Sequence, residues 1–139
     1  MILDNITNLG SKEIKFSENE FHSFRVRFNN LFIKEDIETA HNLALNMLFV
    51  ENLQSSELVE LARCFQLLGD KDNTLACLEK AIQIDSHNKN AIMLKLELLE
   101  SLEQKEQYLN FLQQCLESDP QEKKYYLLCA YLAAAVLVF

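Results

Sequence analysis

Ser55–Asn88, SSELVELARCFQLLGDKDNTLACLEKAIQIDSHN, decides the fold, because the 34 residues that follow it, Lys89 to Glu122, repeat its apolar pattern. A period of that length marks stacked helix pairs. One such unit cannot bury its own apolar stripe, so copies stack to share a core, and the inner face of the stack is commonly a surface for holding another chain. The phase also runs backwards along the chain. Glu35-Asp36, Gly69-Asp70 and Glu103-Gln104 stand 34 residues apart, each between an expected first and second helix. Acids recur in the same phase just past the second helix, at Glu51, Asp85 and Asp119, and in its first turn, at Glu38, Asp72 and Glu106. Several independent positions must agree for this register to exist, which makes it stronger evidence than any short motif here.

Composition agrees with a helical reading. A chain of 139 residues has the size of one domain and can bury a core without disulfides or metals. Two glycines and one proline leave little chemistry for the many tight reversals of an all-β domain, whereas helix pairs need few. A formal charge of −8 and the lack of a basic stripe argue against nucleic acid. The negative field sits mainly in residues 55–122, with thirteen acids against six bases; it keeps a surface soluble or attracts a basic partner.

Cys64, Cys77, Cys115 and Cys129 form no C-x-x-C pair and fall among apolar helical positions, so they read as small core residues in a reducing, cytoplasmic setting. MILDNITNLGSKEIKF at the N-terminus lacks the pattern of a signal peptide. His22, His41 and His87 are scattered, none at helical ligand spacing from a cysteine, and neither Gly10 nor Gly69 belongs to a phosphate loop. We therefore expect no catalytic residue, metal or cofactor.

Read along the chain, residues 1–16 form a flexible or loosely docked lead-in. Ser17-Glu18-Asn19-Glu20 looks like a capping box that opens a helix to about Ile33, with a stripe of Phe21, Phe24, Phe28, Leu31 and Phe32. The second helix, about Asp36 to Val50, presents Ile37, Ala40, Ala44, Met47 and Leu48. In the central unit Leu58, Leu61, Ala62, Phe65 and Leu68 face Leu75, Leu78, Ala81, Ile82 and Ile84 across a turn at Gly69-Asp70, where glycine accepts a left-handed backbone and aspartate caps the next helix. The third pair, about 88–102 and 104–117, carries Ile92, Leu96, Leu99, Tyr108, Leu109, Leu112 and Leu116. Asp119-Pro120-Gln121-Glu122 predicts the start of a seventh helix. The expected organisation is thus an all-α solenoid of antiparallel helix pairs, at about 21–54, 55–88 and 89–122 within 17–122, followed by an apolar capping or interface helix at 123–139.

The central unit resembles a tetratricopeptide repeat, with Leu61, Ala62, Phe65, Gly69, Asp70, Leu78 and Ala81 at its usual large and small positions. The resemblance covers about residues 21–139 and implies a right-handed superhelix of about seven helices whose first helices line a concave peptide-binding groove. Phe28 and Leu96 replace a small residue, Tyr108 replaces alanine and Lys95 replaces leucine, so the outer pairs should be splayed or repacked. Carried over by position, the resemblance implies groove-facing Arg25, Asn29, Phe32, Val59, Arg63, Gln66, Met93, Leu94 and Glu97, extended by Leu127 and Tyr131. Arg25 and Asn29 match the opening pair of members that clamp a terminal carboxylate, but Glu60, Asn90 and Leu94 break the continuation, and Glu60 would repel a carboxylate.

YYLLCAYLAAAVLVF, residues 125–139, is apolar around its full circumference. At about 1.5 Å per residue it spans roughly 22 Å, short of the ~30 Å hydrocarbon core, which disfavours a membrane anchor and favours a helix buried on more than one side. The leading expectation is a small cytoplasmic adaptor or chaperone for a helical or extended segment of a protein partner, similar to the acidic repeat chaperones of bacterial secretion systems. A subunit that self-associates or docks into a larger assembly through residues 123–139 is the alternative, and a membrane-tethered scaffold is the third reading.

Overall fold

The computed structural model describes residues 18–125 and 127–129. It contains α1 (Glu18–Ile33), α2 (Ile37–Met47), α3 (Ser55–Leu67), α4 (Lys71–Ile84), α5 (Lys89–Ser101) and α6 (Lys105–Ser118). Residues 123–125 and 127–129 are also helical, and no strand occurs among the described residues. The fold is all-α, built from the expected helix pairs. The lead-in 1–16, the cap at Ser17, Tyr131 and the apolar run beyond residue 129 lie outside the described residues.

Two compact units divide the chain, the first ending at Asn88 and the second beginning at Lys89, so the division falls on a period boundary. In the first, α1 packs on α2, α2 on α3 and α3 on α4; in the second, α5 packs on α6.

The backbone itself repeats at 34 residues. Glu35, Gly69 and Glu103 have φ of 62°, 75° and 57°, the left-handed conformation that ends a helix. Around them the amides of Asp36, Asp70 and Gln104 donate to the carbonyls of Leu31, Phe65 and Leu99, and those of Glu35, Gly69 and Glu103 donate to Phe32, Gln66 and Glu100. This paired closure, a Schellman motif, satisfies the carbonyls that a helix end leaves open. Only the middle copy has the glycine that adopts this φ without strain.

Second helices start in step at Ile37, Lys71 and Lys105, but they do not all end in step. The α2 helix was expected to reach Val50 and stops at Met47. The amides of Leu48, Phe49 and Val50 switch to carbonyls three residues back, which tightens and closes the helix. The seventh helix also differs from expectation: Pro120 and Gln121 form a turn, and helical residues begin at 123. Glu122 takes over the capping place, its carboxylate accepting from the Lys124 amide.

Packing follows the expected stripes with local corrections. In the first unit Phe21, Phe24 and Phe28 are buried in sequence, their rings 5.4 and 6.0 Å apart, together with Leu61, Ala62, Phe65, Leu78 and Ala81. Ile37, Ile84 and Leu109, expected in stripes, are exposed. Ile37 and Ile84 stand at helix ends, where they overhang the core. In α6 the buried face runs through Tyr108, Phe111, Leu112 and Cys115, which turns Leu109 outward and brings in Phe111 instead. The α3–α4 pair is the most intimately apposed. Ala62 permits that approach, whereas Phe28 and Leu96 hold their partners off, the splaying expected of the outer pairs.

Candidate interaction surface

Arg25 is the best-defined polar group on the first helices. It is half-buried on α1 and donates through Nε to Glu60 Oε2 on α3 at 2.8 Å, with Nη2 on the same oxygen. Nη1 lies 3.2 Å from His22 Nδ1, and the guanidinium carbon lies 5.4 Å from the centroid of Phe21. Glu60 therefore does not merely repel an incoming carboxylate; it occupies the guanidinium that such a ligand would need. His22 and Glu60 were both missing from the expected groove set. Their signals were the i,i+3 spacing of His22 to Arg25 and the opposite charge of Glu60 one period plus one residue after Arg25.

The other expected residues divide between the two units. In the first, Asn29, Arg63 and Gln66 are exposed, and Phe32 is half-buried, stacked on Phe28 at 6.0 Å. Val59 is only 4% exposed and belongs to the core, so it offers a ligand almost no surface. In the second unit Met93 and Leu94 are half-buried, Glu97 is exposed and Leu127 is 68% exposed.

A second polar node ties the repeats of the first unit together. Asp70 caps α4 by accepting from the Asn73 amide at 3.1 Å; its other oxygen accepts from Asn73 Nδ2 and lies 2.8 Å from His41 Nε2 on α2. Burial pushes the Asp70 carboxyl up, but the bonds from Asn73 and His41 outweigh it and hold the group below its ordinary value. Nearby, Ser55 Oγ donates to the Ala81 carbonyl and accepts from Asn88 Nδ2, both at 2.8 Å. In the second unit Lys95 lies over the Phe111 ring at 4.2 Å. That contact explains how a lysine stands where an apolar residue was expected, its stem covering the ring.

The four cysteines are free thiols. Burial, with Glu60 adding to it, raises Cys64 to about 12; burial likewise raises Cys77 to about 12 and Cys115 to about 11. Thiols held that high are packing groups rather than nucleophiles. Among the described residues no His, Cys, Asp or Glu cluster is arranged to hold a metal, and no helix is long and apolar enough to cross a membrane.

A tetratricopeptide repeat family model matches residues 58–88, the central unit with its Gly69-Asp70 turn. Among solved structures, "MamA 41-end from Desulfovibrio magneticus RS-1" is similar with a TM-score of 0.56 at 15% identity, over 81% of this chain and 63% of that one. A second, "MamA RS-1 ArsTM double mutant", gives 0.57 at 16% identity, over 81% and 62%. At these identities the likeness concerns the fold, and the chain spans less than two thirds of either structure. No curated protein matches the sequence.

Proposed function

We propose, for a chain that carries a tetratricopeptide repeat over residues 58–88, a non-catalytic module that holds a helical or extended segment of a partner protein on its first-helix face. One observation carries the reading. The Arg25–Glu60 bond fixes α1 and α3 side by side, and the 34-residue period then sets exposed Asn29 level with exposed Arg63. Amide and guanidinium groups on neighbouring helices suit the carbonyls and carboxylates of a bound chain, and a rigid scaffold lowers the entropy lost on binding. Phe32 and Gln66 extend that face in the first unit; Met93, Leu94 and Glu97 supply the matching positions in the second.

The role we assign is that of a small cytoplasmic adaptor or chaperone, similar to secretion chaperones, whose net charge of −8 keeps it soluble beside an apolar client. Co-purification with host proteins followed by mass spectrometry tests it. A client is expected that is lost on Arg63→Ala together with Met93→Ala. A chain that brings down nothing, or a client retained in full by that variant, overturns the groove reading.

The 68% exposure of Leu127 favours a second reading, assembly through residues 123–139. Light scattering on the full chain would then show an oligomer that Leu127→Glu dissolves, with client binding intact.

A further inference from the structure

We infer that the edge of residues 18–88 where first helices turn into second helices is a separate docking surface, fitted to an amphipathic protein segment carrying lysine or arginine beside its apolar residues. It is distinct from the first-helix face proposed above and stands or falls independently of it.

Ile33 and Leu67, the last residues of α1 and α3, are 77% and 59% exposed. They hold the same place in the 34-residue period. Arg25 and Glu60 touch, and Ile33 and Leu67 stand eight and seven residues further along parallel helices. At about 1.5 Å per residue both lie roughly 10–12 Å towards the same end. Ile37, the first residue of α2, is exposed on that edge as well. Isolated exposed aliphatics are ordinary on a protein surface, but a cluster at matched positions on one edge is not. The edge is also pre-ordered. Schellman closures fix both turns, and Asp36 and Asp70 cap the helices that leave them.

Charge selects the occupant. Residues 33–38 and 67–72 carry five acids and two lysines. Asp36 and Asp70 are engaged in capping, while Glu35, Glu38 and Asp72 surround the aliphatics as exposed carboxylates. An apolar strip rimmed by negative charge fits an apolar stripe rimmed by positive charge, which steers such a segment and repels an acidic one. In the second unit Ser101 replaces the aliphatic, so the surface belongs to the first unit.

The test uses the full chain and three labelled 14-residue peptides followed by fluorescence anisotropy. One places leucines at helical i, i+3, i+4 spacing among lysines; the others replace every lysine by glutamate or every leucine by serine. Saturable binding of the leucine–lysine peptide is expected, at least tenfold tighter than either control. It should weaken at least tenfold in Ile33→Ser/Leu67→Ser and equally in the charge-reversed Glu35→Lys/Asp72→Lys, which keeps the aliphatics. Arg63→Ala/Gln66→Ala should leave it unchanged, so failure of the first-helix face and failure of this edge are read separately. Equal binding of the serine–lysine peptide, which is charge attraction alone, overturns the inference. So does undiminished affinity in both edge variants, or no saturable binding.

Discussion

The helix pairs α3–α4 and α5–α6 have identical boundaries once shifted by 34 positions, yet they are held together differently. At the crossing the first has Ala62 and the second Leu96. At the left-handed position they have Gly69 and Glu103, and at the following cap Asp70, which makes its side-chain bond, and Gln104, which does not. Leu61 and Cys77 in the one correspond to Lys95 over Phe111 in the other. Backbone geometry is evidently fixed by the period alone, because it survives these exchanges. Tightness is fixed by side chains, because the pair with small and capping residues is the closely apposed one.

The comparison breaks most forcefully at the crossing. Leu96, 2% exposed, props α5 against α6, so Leu96→Ala should leave a cavity rather than convert the pair into a copy of the central one. A loss of about 2–4 kcal/mol in urea denaturation is expected. The reverse exchange, Ala62→Leu, overpacks a fully buried site and should cost about 1–3 kcal/mol. If Leu96→Ala were neutral, with α6 closing onto α5, crossing-residue size alone would account for the difference between the pairs.

The caps come next. Removing Asp70 by Asp70→Ala deletes the α4 cap and the bond to His41, for an expected loss of about 1–2 kcal/mol, whereas Gln104→Asp should gain about 0.5–1 kcal/mol. The Asp70 carboxyl titrates below its ordinary value, 3.8, in the folded chain. Its stabilisation is therefore full above the unfolded value and disappears as pH falls through the lower folded one. The stability gap between the parent chain and Asp70→Ala should be constant from pH 7 to 5 and shrink below pH 4. A gap that widened on acidification would contradict the assignment.

These sites show how much was legible in the sequence. Helix number and the left-handed turns follow from 34-fold recurrence, which depends on many residues at once and survives local exceptions such as Glu35. What single positions decide was less visible. The early end of α2 and the delayed start after Pro120 depend on which amide finds which carbonyl, and no stripe encodes that choice. In the candidate site, Arg25 was legible as a polar first-helix residue. Its capture by Glu60 was not, because the bond joins helices whose spacing only the packed core defines. Val59 was misplaced for a related reason: one step around a helix separates the groove from the core, and position alone does not resolve that step.

A smaller effect sharpens the turn comparison. A Cβ added at Gly69 meets nothing within 4 Å, so Gly69→Ala tests backbone strain without a clash. It should cost about 1 kcal/mol, and Glu103→Gly should gain a comparable or smaller amount, read as opposite shifts in the urea midpoint. Shifts of the same sign would mean that denatured-chain entropy, not φ, governs the turn.

The smallest contrast lies in two bonds at matching places, Ser55 with Asn88 and Lys89 with Glu122. The serine is buried and serves both the Ala81 carbonyl and the Asn88 amide, so Ser55→Ala should cost about 1 kcal/mol. Ala81 still accepts from the Asp85 amide, which keeps the loss from growing larger. The Lys89–Glu122 pair spans the same interval as a solvent-exposed ion pair, 2.8 Å long but screened and entropically costly to hold. Lys89→Ala should therefore leave the urea midpoint unchanged at 0.5 M salt and lower it only marginally at 20 mM. A salt-independent loss as large as that of Ser55→Ala would show that the second unit depends on this pair as the first depends on its buried serine, and that burial is not what separates the two.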